Sequence, residues 1–146
     1  MAEQQKPVYN NKRFKPSEYN FDMFVGPRAG EPLKDFTLTD LKTGDPVKLS
    51  DFNGKWVVIE TASSTCSMYT KNIPDMKDIA EEIDDVEFVV VYVREAHPGE
   101  RLGQHEDMAD KIAAAKLIAP RYGEHRRVLV DNYEGDFHRA YGAMPN

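Results

Sequence analysis

Along the chain the apolar positions change rhythm several times, and each change marks an element. Phe36-Thr37-Leu38-Thr39 alternates apolar with polar, Lys42-Thr43-Gly44-Asp45 reads as a turn, and Val47-Lys48-Leu49 alternates again. That pattern predicts a short antiparallel hairpin. After the polar stretch from Ser50 to Lys55, Trp56-Val57-Val58-Ile59-Glu60 is continuously apolar and β-branched. Such a run predicts a strand buried on both faces of a parallel sheet. A polar loop, Thr61 to Thr65, then delivers Cys66. Beyond it the period lengthens. Tyr69, Ile73, Met76, Ala80 and Ile83 recur at three and four residues, predicting a helix that Pro74 kinks. Val86 to Val93 reads as a second buried strand. Met108, Ile112, Ala115 and Ala119 mark a helix ended by Pro120, Val128 to Val130 a third strand, and Phe137 to Tyr141 a short helix.

The order is therefore hairpin, β, α, β, α, β, α. Strands alternating with helices imply right-handed crossovers and an α/β fold around a central, mostly parallel sheet. Residues 1–32 have no such rhythm and are rich in Lys, Asn, Pro and Gly. They also carry Tyr9, Phe14, Tyr19, Phe21, Phe24 and Val25, too many apolar anchors for a free tail. We expect an extended arm over 1–32, lying on the domain of residues 33–146 or on a second subunit of a homodimer.

Composition narrows the function classes. With 146 residues, 40% hydrophobic and 30% charged, the chain suits one globular domain. The net charge of -6, spread along the sequence, disfavours nucleic acid and anionic membrane as partners. No stretch reaches the roughly 18 apolar residues that span a bilayer, and the polar N-terminus lacks the apolar middle of a signal peptide. A cytoplasmic protein is expected. The four histidines and one cysteine show no paired-ligand spacing, and no glycine-rich phosphate loop occurs. Neither a metal nor a bound cofactor is expected.

Cys66 is the most informative residue. A cysteine at the start of a helix meets unpaired backbone amides and the positive end of the helix dipole, which favour the nucleophilic thiolate. Thr65, just before it, can donate a hydroxyl hydrogen bond to the sulfur, and Ser63 or Ser64 could do the same. Simple packing competes with this reading, because free cysteine is among the most buried residue types. The third residue on is Tyr69, so there is no C-x-x-C pair. Oxidised Cys66 must be resolved by an external thiol, either thioredoxin or a low-molecular-weight thiol, or by a cysteine beyond Asn146.

The loop Thr61-Ala62-Ser63-Ser64-Thr65-Cys66-Ser67-Met68-Tyr69 resembles the active-site loop of iodothyronine deiodinases, with cysteine in place of selenocysteine. Val89 to Pro98, ending in Glu95-Ala96-His97-Pro98, is similar to that family's signature, and Gln104-His105 heads a helix as a corresponding histidine does there. Val128 to Asn132 and Ala140 to Pro145 resemble its later strand and turn. The resemblance runs from about Phe36 to the chain's end. It implies a thioredoxin-like fold of the peroxiredoxin and deiodinase type, in which two more strands and a helix would follow, so the chain is expected to be truncated at its C-terminus. It also implies thiol-dependent reductive dehalogenation of an iodinated aromatic, a small-molecule substrate. Cys66 would take the halogen, Ser63 and Thr65 would support it, Glu95, His97 and His105 would relay protons, and Tyr92 would line the pocket.

Each of these residue types is also compatible with a role outside catalysis. Glu95 and His97 could simply be solvated, His105 could flank its helix, and Tyr92 could be a packed strand residue. His125 and His138 are expected at the surface. The competing functions are a one-cysteine, peroxiredoxin-like peroxidase and a non-catalytic thiol redox sensor.

Overall fold

The computed structural model describes residues 8–19 and 25–142. Phe21 and Phe24 of the expected arm, and the turn residues from Ala143 to Pro145, lie outside them. The strands are β1 (Thr37–Asp40), β2 (Pro46–Lys48), β3 (Trp56–Ala62), β4 (Val86–Tyr92) and β5 (Arg127–Val130). The helices are α1 (Ser67–Glu82), α2 (Met108–Ala115), α3 (Ile118–Tyr122) and α4 (Asp136–Ala140). One sheet runs β2-β1-β5-β4-β3. β3, β4 and β5 are parallel, while β1 pairs antiparallel with both β2 and β5. The α/β reading of the sequence is met.

β4 explains the layering. Val89, Val91 and Val93 point to one face, where Leu38, Phe52, Leu129 and Phe137 bury them. Val90 and Tyr92 point to the other, against Ala62, Tyr69 and Ile73 and against Ala114, Ala115 and Ile118. Each fully buried valine contributes about 1.5 kcal/mol or more. The register sets Ala62 beside Tyr92 and Tyr92 beside Val130. The carboxyl ends of three parallel strands therefore finish level, and the loops bearing Cys66, Glu95 and Asp131 leave from the same edge. Among the described residues, no helix is long and apolar enough to cross a membrane.

Two expectations need correction. β3 is not buried on both faces. It is an edge strand among the described residues, with Trp56 78% and Val58 41% exposed. A continuous apolar run does not by itself distinguish a central strand from an edge. Pro120 does not end a helix either. The helix stops at Ala115, and Pro120 sits in the first turn of α3, where an amide hydrogen has no intrahelical partner to lose. Gly123, with φ of 74°, ends α3 in the left-handed region that glycine adopts freely. α1 runs unbroken through Pro74.

The described part of the arm lies on its own domain. Arg94 donates through Nη1 to the Tyr9 carbonyl at 2.7 Å, with its guanidinium 4.7 Å from the centre of the Tyr9 ring. The Tyr9 hydroxyl accepts from the Arg94 amide at 3.3 Å and lies 2.9 Å from His138 Nδ1. His138 is therefore buried, 1% exposed, and not the surface residue that its position suggests. The ring of Phe14 packs on His97 at 4.4 Å between centroids.

Beneath the arm, Lys111 of α2 is fully buried and donates to the Asn132 carbonyl at 2.7 Å. Desolvation pulls its pKa down to about 8, against the opposing pull of Asp131. The unfolded chain keeps this proton up to about pH 10. Between those values the unfolded state binds more protons than the native one, so stability rises with pH, by at most about 1.4 kcal/mol per unit. From about pH 8 to about pH 9, before the raised phenols of Tyr9, Tyr69 and Tyr92 bring in their opposite slope, urea midpoints should rise for the native sequence relative to Lys111→Met.

Candidate active site

Cys66 is the N-cap of α1, in extended backbone, and its carbonyl accepts the Thr70 amide at 3.0 Å. β3 ends at Ala62, and a tight turn in which the Cys66 amide donates to the Ser63 carbonyl at 3.2 Å carries the chain into the helix. The sulfur-bearing residue is half-buried against Ala62, Tyr69, Ile73 and Val90. It thus sits at the amino end of a sixteen-residue helix, where the first amides have no partner within the helix.

Glu95 holds this loop in place. It follows β4 and is 1% exposed. One carboxylate oxygen accepts the Thr65 amide at 2.9 Å and the Thr65 hydroxyl at 2.7 Å. The other accepts the Tyr92 hydroxyl and meets His105 Nε2 at 3.1 Å. Burial pushes the Glu95 pKa up, but the bonds from His105, Tyr92 and Thr65 outweigh it and hold the carboxyl below its usual range. Glu95 is therefore ionised. The same charge, added to burial, raises the Tyr92 phenol and keeps it protonated. An ionised carboxylate requires a donor at His105 Nε2, which fixes the tautomer of a neutral ring and leaves Nδ1 as acceptor. That buried Nδ1 has no hydrogen-bond partner among the described residues.

The residues singled out in the sequence separate into two groups. Ser63, Thr65, Tyr92, Glu95 and His105 come together. Ser63 is buried, with its hydroxyl accepting the Ala96 amide at 3.1 Å. His97 stands apart: it is exposed, its amide donates to the Thr65 hydroxyl at 3.0 Å, and its ring lies on Phe14 instead of joining the Glu95 bonds. The Thr65 hydroxyl, expected to donate to sulfur, donates to Glu95, because a buried carboxylate is the stronger acceptor. Glu95 is buried, which disposes of solvation as an account of it, whereas the exposed His97 fits that account.

Gln104 is a site residue that local sequence does not single out. Its side chain accepts the Glu95 amide at 2.8 Å and donates to the Glu95 carbonyl at 3.0 Å and to Asn11 of the arm at 2.9 Å. Only its place beside His105 hints at this. Below Cys66, Tyr69 donates to Glu124 at 2.7 Å, and Arg126 bridges Glu124 and Glu60. This buried ion network anchors the first turn of α1. No cluster of three or more potential metal ligands occurs among the described residues.

Comparison with known proteins bears on this arrangement. Residues 29–146 match the sequence profile of the AhpC/TSA family. The human type II iodothyronine deiodinase is 27% identical over 101 residues, covering 59% of this chain and 37% of that protein. The chain thus spans well under half the length of this relative. Among solved structures, a secreted disulfide oxidoreductase of Mycobacterium tuberculosis superposes with a TM-score of 0.54 at 21% identity, over 73% of this chain and 66% of that one. An exposed lipoprotein thioredoxin of Streptococcus pneumoniae superposes with a TM-score of 0.50 at 32% identity, over 74% and 73%.

The depressed Glu95 pKa sets a pH dependence. A carboxylate whose folded pKa lies below its unfolded value stabilises above the latter and loses that contribution as pH falls through the former. Glu95→Gln, which leaves donors facing an amide, should cost about 1–3 kcal/mol at neutral pH. Denaturant titrations should show that difference shrinking below about pH 4.

Proposed function

On the footing that the chain belongs to the AhpC/TSA family and has the thioredoxin fold, we propose that it is a thiol-dependent oxidoreductase that removes iodine from an aromatic ring through Cys66. The observation carrying this reading is the bonded path from the Cys66 loop to a buried histidine, Thr65 to Glu95 to His105. A soft nucleophile and a proton-handling group that works near neutral pH are the two parts that reductive dehalogenation requires.

The Cys66 thiolate attacks iodine, forming a sulfur–iodine bond as the carbon–iodine bond breaks. The electron pair left on the ring carbon takes a solvent proton that His105 first binds at Nδ1 and then hands on, giving the reduced arene. An external thiol displaces iodide from sulfur and leaves a mixed disulfide. A second thiol releases Cys66 and departs as the oxidised disulfide. Thioredoxin or a low-molecular-weight thiol serves as reductant and co-substrate, and a reducing compartment such as the cytoplasm supplies it. Glu95 keeps the His105 tautomer fixed throughout, as carboxylates do for catalytic histidines.

Sequence similarity to a deiodinase supports the reaction, and the unpartnered Nδ1 of His105 supports the assignment of the proton route. Cysteine is a weaker nucleophile at neutral pH than selenocysteine, so turnover should be slow. Purified protein incubated with an iodinated phenol and dithiothreitol should release iodide. Cys66→Ser should abolish release, and His105→Gln should lower it by about 10²-fold. Rapid, Cys66-dependent consumption of hydrogen peroxide without iodide release would identify a peroxidase instead.

A further inference from the structure

We propose that the cleft beside the Cys66 loop binds an organic anion of about one-ring size, with Arg101 and Arg121 holding its carboxylate. The cleft has a volume of about 470 Å³, within the range of small-ligand sites. Thr65, immediately before Cys66, forms one wall. The second comes from the loop after β4 with His97, Arg101 and Leu102, and the third from the end of α3 with Arg121 and Tyr122. The Tyr122 hydroxyl donates to the Ser64 carbonyl at 3.3 Å, so α3 is fixed to the reactive loop and does not merely lie near it.

The charge is out of character for its surroundings. The chain carries a net charge of -6, yet this cleft presents two arginines against the single carboxylate of Glu100. Three other arginines are taken up by structural ion pairs: Arg126 faces Glu124 and Glu60, Arg127 faces Asp40, and Arg139 faces Asp136. The side chains of Arg101 and Arg121 make no ion pair or hydrogen bond among the described residues. A planar guanidinium matches a carboxylate bidentately, and two of them at one opening favour an anionic group strongly over a neutral one. Tyr122 and Leu102 supply an aromatic and an apolar surface for the body of the ligand. The assignment deepens the reading of Cys66 as the reacting group by naming the substrate class, and its binding step stands without any turnover.

Amide NMR titration of the full chain with benzoate and, separately, with the near-isosteric neutral benzamide tests it. Benzoate should shift the amides of Thr65, of residues 97–102 and of Arg121 and Tyr122. It should bind about tenfold more tightly than benzamide, the discrimination expected of one charge-assisted pair. Arg101→Gln and Arg121→Gln change exposed side chains, and each should weaken benzoate by about fivefold while leaving benzamide unchanged. Equal affinities, shifts confined to another surface, absence of binding, or variants that bind benzoate as well as the native chain would overturn the proposal. The rates of Cys66 alkylation by iodoacetate and by iodoacetamide give a second readout. The ratio of the anionic to the neutral reagent should fall about fivefold in the double variant, since only the anion is drawn by the arginines; an unchanged ratio contradicts it. Benzoate binding without iodide release would leave this assignment standing and remove the dehalogenase reading. Iodide release without benzoate binding would do the reverse.

Discussion

A buried carboxylate is the constraint on which this site depends. Glu95 is almost wholly withdrawn from water, a placement that costs several kcal/mol unless donors surround the charge. Four donors do so, two from Thr65 and one each from Tyr92 and His105. Because they come from three separate segments, satisfying one charge also fixes where those segments lie. The β3–α1 loop is held against the end of β4, the loop before α2 is drawn in with His105, and Cys66 is left at the helix start by the geometry of its neighbour. Removing the carboxylate would therefore do more than delete a bond. It would release the relative placement of Cys66 and His105.

Glu95 is in turn held from outside by the arm. Gln104 brackets its backbone on both sides, much as a neighbouring strand would, and passes the restraint on to Asn11. Tyr9 and Arg94 clasp each other one residue earlier in the same loop. The polar core beneath, with Lys111, Asp131 and His138, gives the aromatic anchors of the arm something specific to bind. A segment without any periodicity of its own thereby becomes part of the support of the site.

Much of this is legible in the chain, for identifiable reasons. The hairpin, the three parallel strands and the Cys66 helix start each follow from period and turn chemistry that survive in the fold. Local pattern does not reveal what depends on partners distant in sequence. The run from Trp56 to Glu60 has the composition of a central strand but lies at an edge, since strand order is a property of the whole sheet. His138 reads as a surface residue because the arm residue that covers it is 129 positions away. The Thr65 hydroxyl has the Cys66 sulfur next to it in sequence, yet a carboxylate 30 residues on competes better for it. Glu95, His105 and Tyr92 stand out through resemblance to a family; their residue types alone permit solvation or packing. Gln104 acts through an amide that nothing in its local sequence distinguishes.

The central claim is that the fold makes Cys66 a better nucleophile than the same cysteine in a loose chain. With only one cysteine present, alkylation by iodoacetamide reports on that sulfur alone. Its second-order rate constant, measured at neutral pH for the native protein and for the same chain unfolded in urea, tests the claim most directly. Faster reaction in the native state is the predicted result. A native thiol that reacts more slowly than the unfolded one would mark Cys66 as a packed core residue and contradict the account.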